Sequence, residues 1–200
     1  KTLGIFGLGA IAKNVARRAN GFGMKVLAYD PYVKEVPEEF KSFVTLSSID
    51  EIIKNADIIS MHLPLTDETR DMISAKEMAA MKDGAYIINT ARGGIVNEHD
   101  LYEAVKSGHI AGAALDVSEQ EPMAEDNPLR TLENVIITPH IGMYSKEAIG
   151  AVSLICAQNA AAKIEGKELQ FQVVLFGGIG NAMKLTNTES TDIMSASRSG

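Results

Sequence analysis

The sequence has one cysteine, no excess of basic residues and no apolar run as long as a membrane helix. The single cysteine, Cys156, excludes an internal disulfide and suits a reducing compartment, so we expect a cytoplasmic protein. No segment approaches the roughly 18–20 apolar residues that span a bilayer or has the build of a signal peptide, so we expect no membrane partner. The net charge of −7 argues against a nucleic-acid partner, because the phosphate backbone attracts basic surfaces.

The chain also lacks an initiator methionine and enters a strand-like run directly after Lys1. A natural chain rarely begins on the first strand of its core, so we expect a fragment without its upstream segment. At the other end, residues 186–200 are rich in Ser, Thr, Asn and Asp and can bury little apolar surface. We therefore expect one domain over residues 1–168 and a partly disordered extension over residues 169–200.

Short β-rich runs alternate with stretches of helical periodicity along most of the chain. This alternation predicts βαβ units, and thus an α/β fold with a doubly wound parallel sheet and helices on both faces. The expected strands are Thr2–Phe6, Lys25–Tyr29, Phe43–Leu46, Asp57–Leu63, Tyr86–Thr90, Ile110–Asp116 and Val135–Thr138. The expected helices cover 10–20, 49–55, 75–81 and 98–107, with N-caps at Ser48, Ser74 and Asn97. A long amphipathic helix should follow over 145–165, with Cys156 buried on it.

A glycine-rich turn, G-x-G-x-x-A, joins the first strand to the first helix over residues 7–12. In a dinucleotide-binding fold of the Rossmann type, Gly7 makes the tight turn and Gly9 lets the backbone approach a pyrophosphate. The pyrophosphate would sit on the backbone N–H groups of Ala10 and Ile11 at the positive end of the helix dipole. Glycines also make ordinary turns, so this motif alone is weak.

Asp30 ends the second strand, about 20 residues after the glycines, where a carboxylate binds the ribose hydroxyls of NAD. The same carboxylate would repel the 2′-phosphate of NADP, so the predicted cofactor is NAD. The alternative is an ordinary turn aspartate before Pro31. The order strand, glycine turn, helix, strand and acid favours the cofactor role.

Five further stretches carry a family resemblance. The chain resembles the D-isomer-specific 2-hydroxyacid dehydrogenases, whose members include phosphoglycerate and glycerate dehydrogenases, from Gly7 to about Ala148. The matching stretches are 55–65 (NADIISMHLPL), 88–96 (INTARGGIV), 112–117 (GAALDV), 121–122 (EP) and 138–142 (TPHIG).

The resemblance implies an NAD-dependent oxidoreductase that interconverts a D-2-hydroxy acid and its 2-keto acid. Arg92, Glu121 and His140 fall on the family's catalytic arginine, acid and histidine. An imidazole titrates near neutrality and can act as acid and base, a carboxylate can orient it, and a guanidinium can hold the substrate carboxylate. The positions that fall on the cofactor's lining are Leu63, Pro64, Thr90, Ala91, Arg92, Asp116, His140 and Gly142. No metal ligand is assigned.

Each of these three side chains also has an ordinary explanation: a surface arginine, a solvated acid and a loop histidine. Together they favour a site, because all three follow expected strands at the sheet edge where open α/β folds bind ligands. Two other functions stay open, a dinucleotide-sensing protein similar to the corepressors of this family and a protein that binds S-adenosyl ligands.

The resemblance has limits. The family's substrate-binding domain is largely absent from these residues, so we expect the isolated domain to turn over poorly. Residues 142–145 (GMYS) differ from the smaller residues expected after the histidine, which leaves the identity of the acid open. Dimers are usual in the family, so a homodimer is expected of the full-length protein.

Overall fold

The computed structural model describes residues 1–171, which form seven strands, five α-helices and two short 3₁₀ helices. The described residues divide into two units, one over residues 1–143 and one that begins at residue 144. This division groups the last long helix with the second unit, whereas the predicted first domain runs to residue 168. The boundary at residue 168 stays a prediction.

The first unit is built on one sheet of seven parallel strands in the order β3-β2-β1-β4-β5-β6-β7. The chain leaves β1 for β2 and β3 on one side and returns to β4 on the other, which is the doubly wound topology that the sequence predicted. The strands are β1 Thr2–Phe6, β2 Lys25–Tyr29, β3 Val44–Leu46, β4 Ile58–Met61, β5 Ala85–Asn89, β6 Ile110–Leu115 and β7 Val135–Ile137.

Four helices of the first unit begin at polar caps or at the glycine turn. The Ser48 hydroxyl accepts from the Glu51 N–H and the Asn97 side chain from the Asp100 N–H, so both predicted N-caps are present. Glu77 reaches back to the Ser74 N–H, as in a capping box. The helices are α1 Ala10–Gly21, α2 Ile49–Asn55, α3 Ala75–Ala80 and α4 Glu98–Lys106.

Two apolar clusters cover the two faces of the sheet. On one face, the buried alanines of α1 at 12, 16 and 19 pack with Leu3 and Ile5 of β1. These small side chains let α1 lie close to the sheet, as the third position of the glycine motif requires. On the other face, α2, α3 and α4 contribute Ile52, Met78 and Leu101 to a second buried cluster, which also contains residues of β4 and β5. The packing on both faces holds the carboxyl ends of the strands in fixed positions.

In the second unit, α5 spans Lys146–Ile164 and has no buried residue. The expected burial of Cys156 is therefore wrong, since its side chain is exposed. The periodicity that suggested an amphipathic helix does not produce a buried face here, and Val152 and Leu154 are about half exposed. None of the helices within residues 1–171 has the length and apolar character needed to cross a membrane. The predicted disordered tail lies outside the described residues.

Candidate active site

The sequence-predicted site residues lie in the segments that follow the carboxyl ends of strands in the first unit. Gly7 follows β1, Asp30 follows β2, Leu63 lies two residues beyond β4, and Arg92 and His140 lie three residues beyond β5 and β7. Parallel strands end at the same edge of a sheet, and open α/β folds bind ligands there. The fold therefore gathers these residues along one edge.

The glycine turn leaves room for an anion at the start of α1. Gly7 has a φ of +92°, and a Cβ there would lie 2.7 Å from the backbone oxygen of His62, so only glycine fits this turn. At Gly9, by contrast, a Cβ would meet no atom of the described residues within 4 Å. Ala10 and Ile11 are exposed in the first turn of α1, where backbone N–H groups lack partners within the helix. This open cradle of N–H donors fits the pyrophosphate of a dinucleotide.

The Asp30 carboxylate links the end of β2 to the glycine turn. Its Oδ2 accepts from the Leu8 N–H at 2.8 Å and its Oδ1 from the Tyr32 N–H at 2.9 Å. Each carboxylate oxygen has two lone pairs, so both oxygens can still accept from a further donor. A depression of about 370 Å³ lies beside Asp30, with Val33 and Leu46 in its wall. This arrangement fits a ribose diol, and its charge disfavours a phosphate at the same place.

His140 and Glu121 form a hydrogen-bonded pair. The Nδ1 atom of His140 lies 2.8 Å from Oε2 of Glu121, and both side chains are partly exposed. The pKa of Glu121 is lowered, mainly by the hydrogen bond from His140; desolvation opposes this shift, while the Ser118 N–H and the charges of His140 and Arg92 add to it. When Nδ1–H donates to the carboxylate, Nε2 is left with a free lone pair. The arrangement can therefore take up and return a proton at Nε2.

The turn around His140 is held by hydrogen bonds to the carboxylate of Asp116. His140 has a φ of +54°, an uncommon value for a non-glycine residue. The buried Asp116 carboxylate accepts from the Thr138 hydroxyl at 2.5 Å and from the N–H groups of Ile141 and Gly142 at 2.9 and 2.8 Å. Burial alone would raise the pKa of Asp116, but these hydrogen bonds and the charge of His140 outweigh it and lower the pKa. Asp116 thus fixes the turn that presents the imidazole.

The turn after β5 presents Arg92 and is held by a buried asparagine. Asn89, 2% exposed, donates through Nδ2 to the Arg92 backbone oxygen at 2.9 Å and accepts from the Ala91 N–H at 3.1 Å. Thr90 and Arg92 are exposed. The guanidinium donates to the Ala91 oxygen at 2.6 Å. The backbone of this turn is fixed, while the arginine side chain faces solvent at the sheet edge.

The segment after β4 and a cavity lined by His140 lie at the same edge of the sheet. Leu63 is buried and Pro64 exposed in the segment after β4. A cavity of about 690 Å³ is lined by Asp116, Glu121 and His140 with apolar side chains such as Ile137, but Arg92 is not in its wall.

Residues 1–171 contain no cluster of three or more His, Cys, Asp or Glu side chains placed to hold a metal ion.

Residues 1–142 match the model of the NAD-binding domain of D-isomer specific 2-hydroxyacid dehydrogenases. The chain belongs to this family. The resemblance found in the sequence is therefore confirmed, together with the Rossmann-type fold.

Two relatives show how this dehydrogenase-family domain compares with longer proteins. It is 46% identical over 167 residues to D-3-phosphoglycerate dehydrogenase of Methanocaldococcus jannaschii, a match that covers 84% of this chain and 32% of that enzyme. It is 42% identical over 167 residues to glyoxylate reductase of Korarchaeum cryptofilum, with 84% of this chain and 50% of that enzyme covered. The chain thus spans about a third to a half of the length of these curated relatives.

Comparison with a solved structure supports the fold of this family. The crystal structure of D-lactate dehydrogenase with NAD⁺ from Lactobacillus jensenii superposes with a TM-score of 0.79 at 34% identity. The match covers 88% of this chain and 56% of that chain. The likeness supports the dehydrogenase fold over the greater part of this chain.

Sequence reasoning missed the side chains that hold the site of this family member in place. Asn89 and Thr138 make the contacts described above but carry no reactive group that would single them out. A polar residue inside an otherwise apolar strand was the available signal for Asn89. For Thr138 the partner, Asp116, lies 22 residues away, so only the folded chain reveals the contact.

Proposed function

We propose that this domain binds NAD and supplies the acid–base pair of an oxidoreductase that interconverts a D-2-hydroxy acid and its 2-keto acid. The observation that carries the proposal is the contact of His140 with Glu121 at the sheet edge that also bears the glycine turn and Asp30. Membership of the dehydrogenase family and the names of the relatives support the same function.

The cofactor-binding part of the proposal assigns three regions of the edge. The N–H groups of Ala10 and Ile11, at the open turn around Gly7 and Gly9, bind the pyrophosphate. Asp30 accepts from the ribose hydroxyls and selects NAD over NADP. The nicotinamide half is lined by Leu63, Pro64, Thr90, Ala91, Arg92, Asp116, His140 and Gly142. When bound, NAD supplies the acceptor or donor of a hydride.

His140 handles the proton of the reaction in this proposal. In the oxidation direction, Nε2 takes the proton of the C2 hydroxyl, and in the reduction direction it returns that proton to the C2 oxygen. Glu121 accepts from Nδ1–H, which fixes the ring orientation and favours the tautomer with a free lone pair on Nε2. The positive imidazolium that forms is stabilised by the neighbouring carboxylate.

Arg92 holds the substrate. Its planar guanidinium can donate two parallel hydrogen bonds to a carboxylate and can polarise the C2 carbonyl. The guanidinium is exposed and its nearest acceptor is a backbone oxygen, so it is available to a substrate anion. The partner class is therefore a small 2-hydroxy or 2-keto acid.

Three further parts of the proposal concern the whole protein. Its partners do not include nucleic acid, which the net charge of −7 supports. It resides in the cytoplasm, which the single cysteine supports. It forms a homodimer, since closed two-fold assemblies are the commonest among soluble oligomers.

Stereospecific turnover by the whole protein tests the function. We expect NADH-dependent reduction of glyoxylate, hydroxypyruvate or pyruvate, and oxidation of D- but not L-2-hydroxy acids. His140→Gln should lower kcat by roughly 10²- to 10⁴-fold, the usual share of general acid–base catalysis. His99→Gln, at an exposed position of α4, is the matched control and should retain activity.

The outcome separates this proposal from a dinucleotide-sensing protein. NADH binding without turnover of any 2-keto acid would favour the sensor. Equal activity of the His140→Gln and wild-type proteins would remove the assigned acid–base role.

A further inference from the structure

The loop that carries Glu121 lies between β6 and the short helix that precedes β7. This loop, residues 116–127, joins β6 to the 3₁₀ helix Pro128–Thr131 and is defined here as the acidic loop. At its start, the Asp116 N–H donates to the Asn89 oxygen at 2.9 Å. Glu121 itself is exposed, and its contacts within the loop are limited to the Ser118 N–H. Apart from its hydrogen bond to His140, its position therefore depends on what holds the loop.

Glu98, the first residue of α4, holds the acidic loop on both sides of Glu121. One carboxylate oxygen accepts from the Glu119 N–H at 2.6 Å, and the other accepts from the Asn127 side-chain amide at 2.8 Å. Glu119 reciprocates, because its carboxylate accepts from the Glu98 N–H at 3.0 Å. The Glu98 carboxylate thus bridges two positions of the loop that flank Glu121.

These contacts go beyond what an acid in the first turn of a helix usually does. A first-turn acid favours the helix dipole without needing a specific partner. Here both carboxylate oxygens of Glu98 have loop partners, and the Glu98 N–H, one of the donors that α4 cannot satisfy itself, is bound by the loop in return. Hydrogen bonds to an ionised carboxylate are shorter and stronger than neutral ones. The exchange therefore couples the loop to α4.

A second contact determines where the loop would move without Glu98. A Cβ on Gly93 would overlap the backbone oxygen of Ser118, so the turn of Arg92 and the start of the acidic loop pack backbone to backbone. This packing does not depend on Glu98. Freedom gained by removing Glu98 should therefore appear after Ser118, in the part of the loop that contains Glu121.

We propose that Glu98 is a positioning residue that keeps Glu121 within hydrogen-bond distance of His140. Through Glu119 and Asn127, it fixes the acidic loop and thereby the orientation of the imidazole. The inference rests on the proposed function, because it concerns the geometry of the acid–base pair assigned there.

The titration of Glu121 in the 200-residue chain tests the inference without any turnover assay. Carboxyl ¹³C chemical shifts measured against pH give the pKa of Glu121 in wild type and in Glu98→Ala. We expect the pKa to shift upward in Glu98→Ala toward the ordinary value of 4.5, because the hydrogen bond from His140 is weakened. The pKa of Asp116, which is held by other groups, should not change.

Three further variants sharpen the test. Glu103→Ala removes an exposed acid from the same helix and should leave the pKa of Glu121 unchanged. Glu98→Gln keeps the side-chain length and should give a smaller upward shift than Glu98→Ala. Asn127→Asp keeps the oxygen that accepts from the Leu129 N–H but replaces the donor to Glu98 by a second carboxylate, so the pKa of Glu121 should again rise.

An unchanged Glu121 pKa in Glu98→Ala would overturn the inference, and so would a parallel rise for Asp116, which would indicate a general loss of structure. If Glu98→Ala does not fold, Glu98→Gln and Asn127→Asp decide by the same criterion. Failure of the wild-type chain to bind NADH would contradict the proposed function but would leave the Glu121 titration interpretable.

Discussion

At the residue scale, the carboxylate of Asp30 combines a structural and a binding task. It accepts from the Leu8 N–H inside the glycine turn and also faces the depression assigned to the adenosine ribose. A substitution there should therefore affect both the shape of the turn and the affinity for the cofactor. The two effects can be separated because only the second depends on which dinucleotide is offered.

Asp30→Ala should weaken NADH binding more than NADPH binding. Hydrogen bonds to a charged acceptor are worth about 1.5–3 kcal/mol, so loss of the ribose contacts should reduce NADH affinity by at least about tenfold. Isothermal titration calorimetry measures both dissociation constants. Asp83→Ala, at the amino end of β5 and thus at the opposite edge of the sheet, removes the same charge and should bind NADH normally. Equal losses in the two variants would contradict the role of Asp30.

Asp116 is a second residue with two consequences, one for the site and one for stability. Its carboxylate fixes the turn of His140, and its pKa is lowered by the hydrogen bonds that do so, despite its burial. A native pKa below the ordinary 3.8 means that the unfolded chain binds the proton more readily. The group therefore contributes stability above pH 3.8, and this contribution is lost as the pH falls through the native pKa.

Asp116→Asn should lower the free energy of unfolding at neutral pH by about 1–3 kcal/mol, because the amide has only one acceptor oxygen for three donors. The difference from wild type should then narrow as the pH falls from 3.8 through the native pKa of Asp116, where its contribution to stability is lost. Urea denaturation at a series of pH values measures this difference. A difference that stays constant over the whole series would show that the hydrogen bonds do not depend on the charge of Asp116.

At the element scale, the turn between β1 and α1 contains one glycine that the fold needs and one that it does not. Gly7 has a positive φ and lies against the backbone of His62. Gly9 has a φ of −74° and open space where a Cβ would stand. Conformation alone would therefore allow alanine at Gly9 but not at Gly7.

Gly9→Ala should leave stability within about 0.5 kcal/mol of wild type, as expected for a substitution without a steric conflict, yet it should weaken NADH binding at least about tenfold. Gly7→Ala, the matched variant, should destabilise the fold because its Cβ meets a carbonyl oxygen. Thermal denaturation and NADH titration of both proteins provide the comparison. Normal NADH binding by Gly9→Ala would show that the cofactor does not approach this turn.

The strands and helices of the first unit follow from local patterns, but the contacts that orient the site do not. The first two predicted strands agree residue for residue with β1 and β2. The predicted strand at β4 begins one residue early and ends two residues late, and the predicted strand at β6 ends one residue late. The bonds from Asp116 to the turn of His140, and from Glu98 to Glu119, join segments 21 to 26 residues apart, and no local periodicity encodes them.

For α5, the local sequence pattern predicted the helix but not the exposure of its side chains. Its bounds, Lys146–Ile164, lie within the predicted range of 145–165, since the ends of a helix depend on nearby residues. The burial expected of Cys156 is a tertiary property, and in the structure the side chain is exposed. Periodicity predicts which residues share a face, but it does not determine what covers that face.

At the scale of the whole molecule, a chain with a net charge of −7 is proposed to bind a dianionic pyrophosphate. An acidic chain as a whole repels an anion, but the start of α1 can still bind one. Its donors are backbone N–H groups, and the dipole of the helix is positive there. The one acid at the turn, Asp30, lies where hydroxyl donors are expected instead. Binding is thus a matter of local geometry, and net charge predicts only which large partners are unfavourable.

Dinucleotide selectivity of the 200-residue chain tests the central claim most directly. The melting temperature is measured with NADH, NADPH and S-adenosylmethionine at equal concentrations. NADH should raise it, since a ligand at 100 times its Kd stabilises the native state by about 2.7 kcal/mol, and the other two should raise it much less. No increase with NADH, or an equal increase with NADPH, would contradict the account of this domain as an NAD-binding site selected by Asp30.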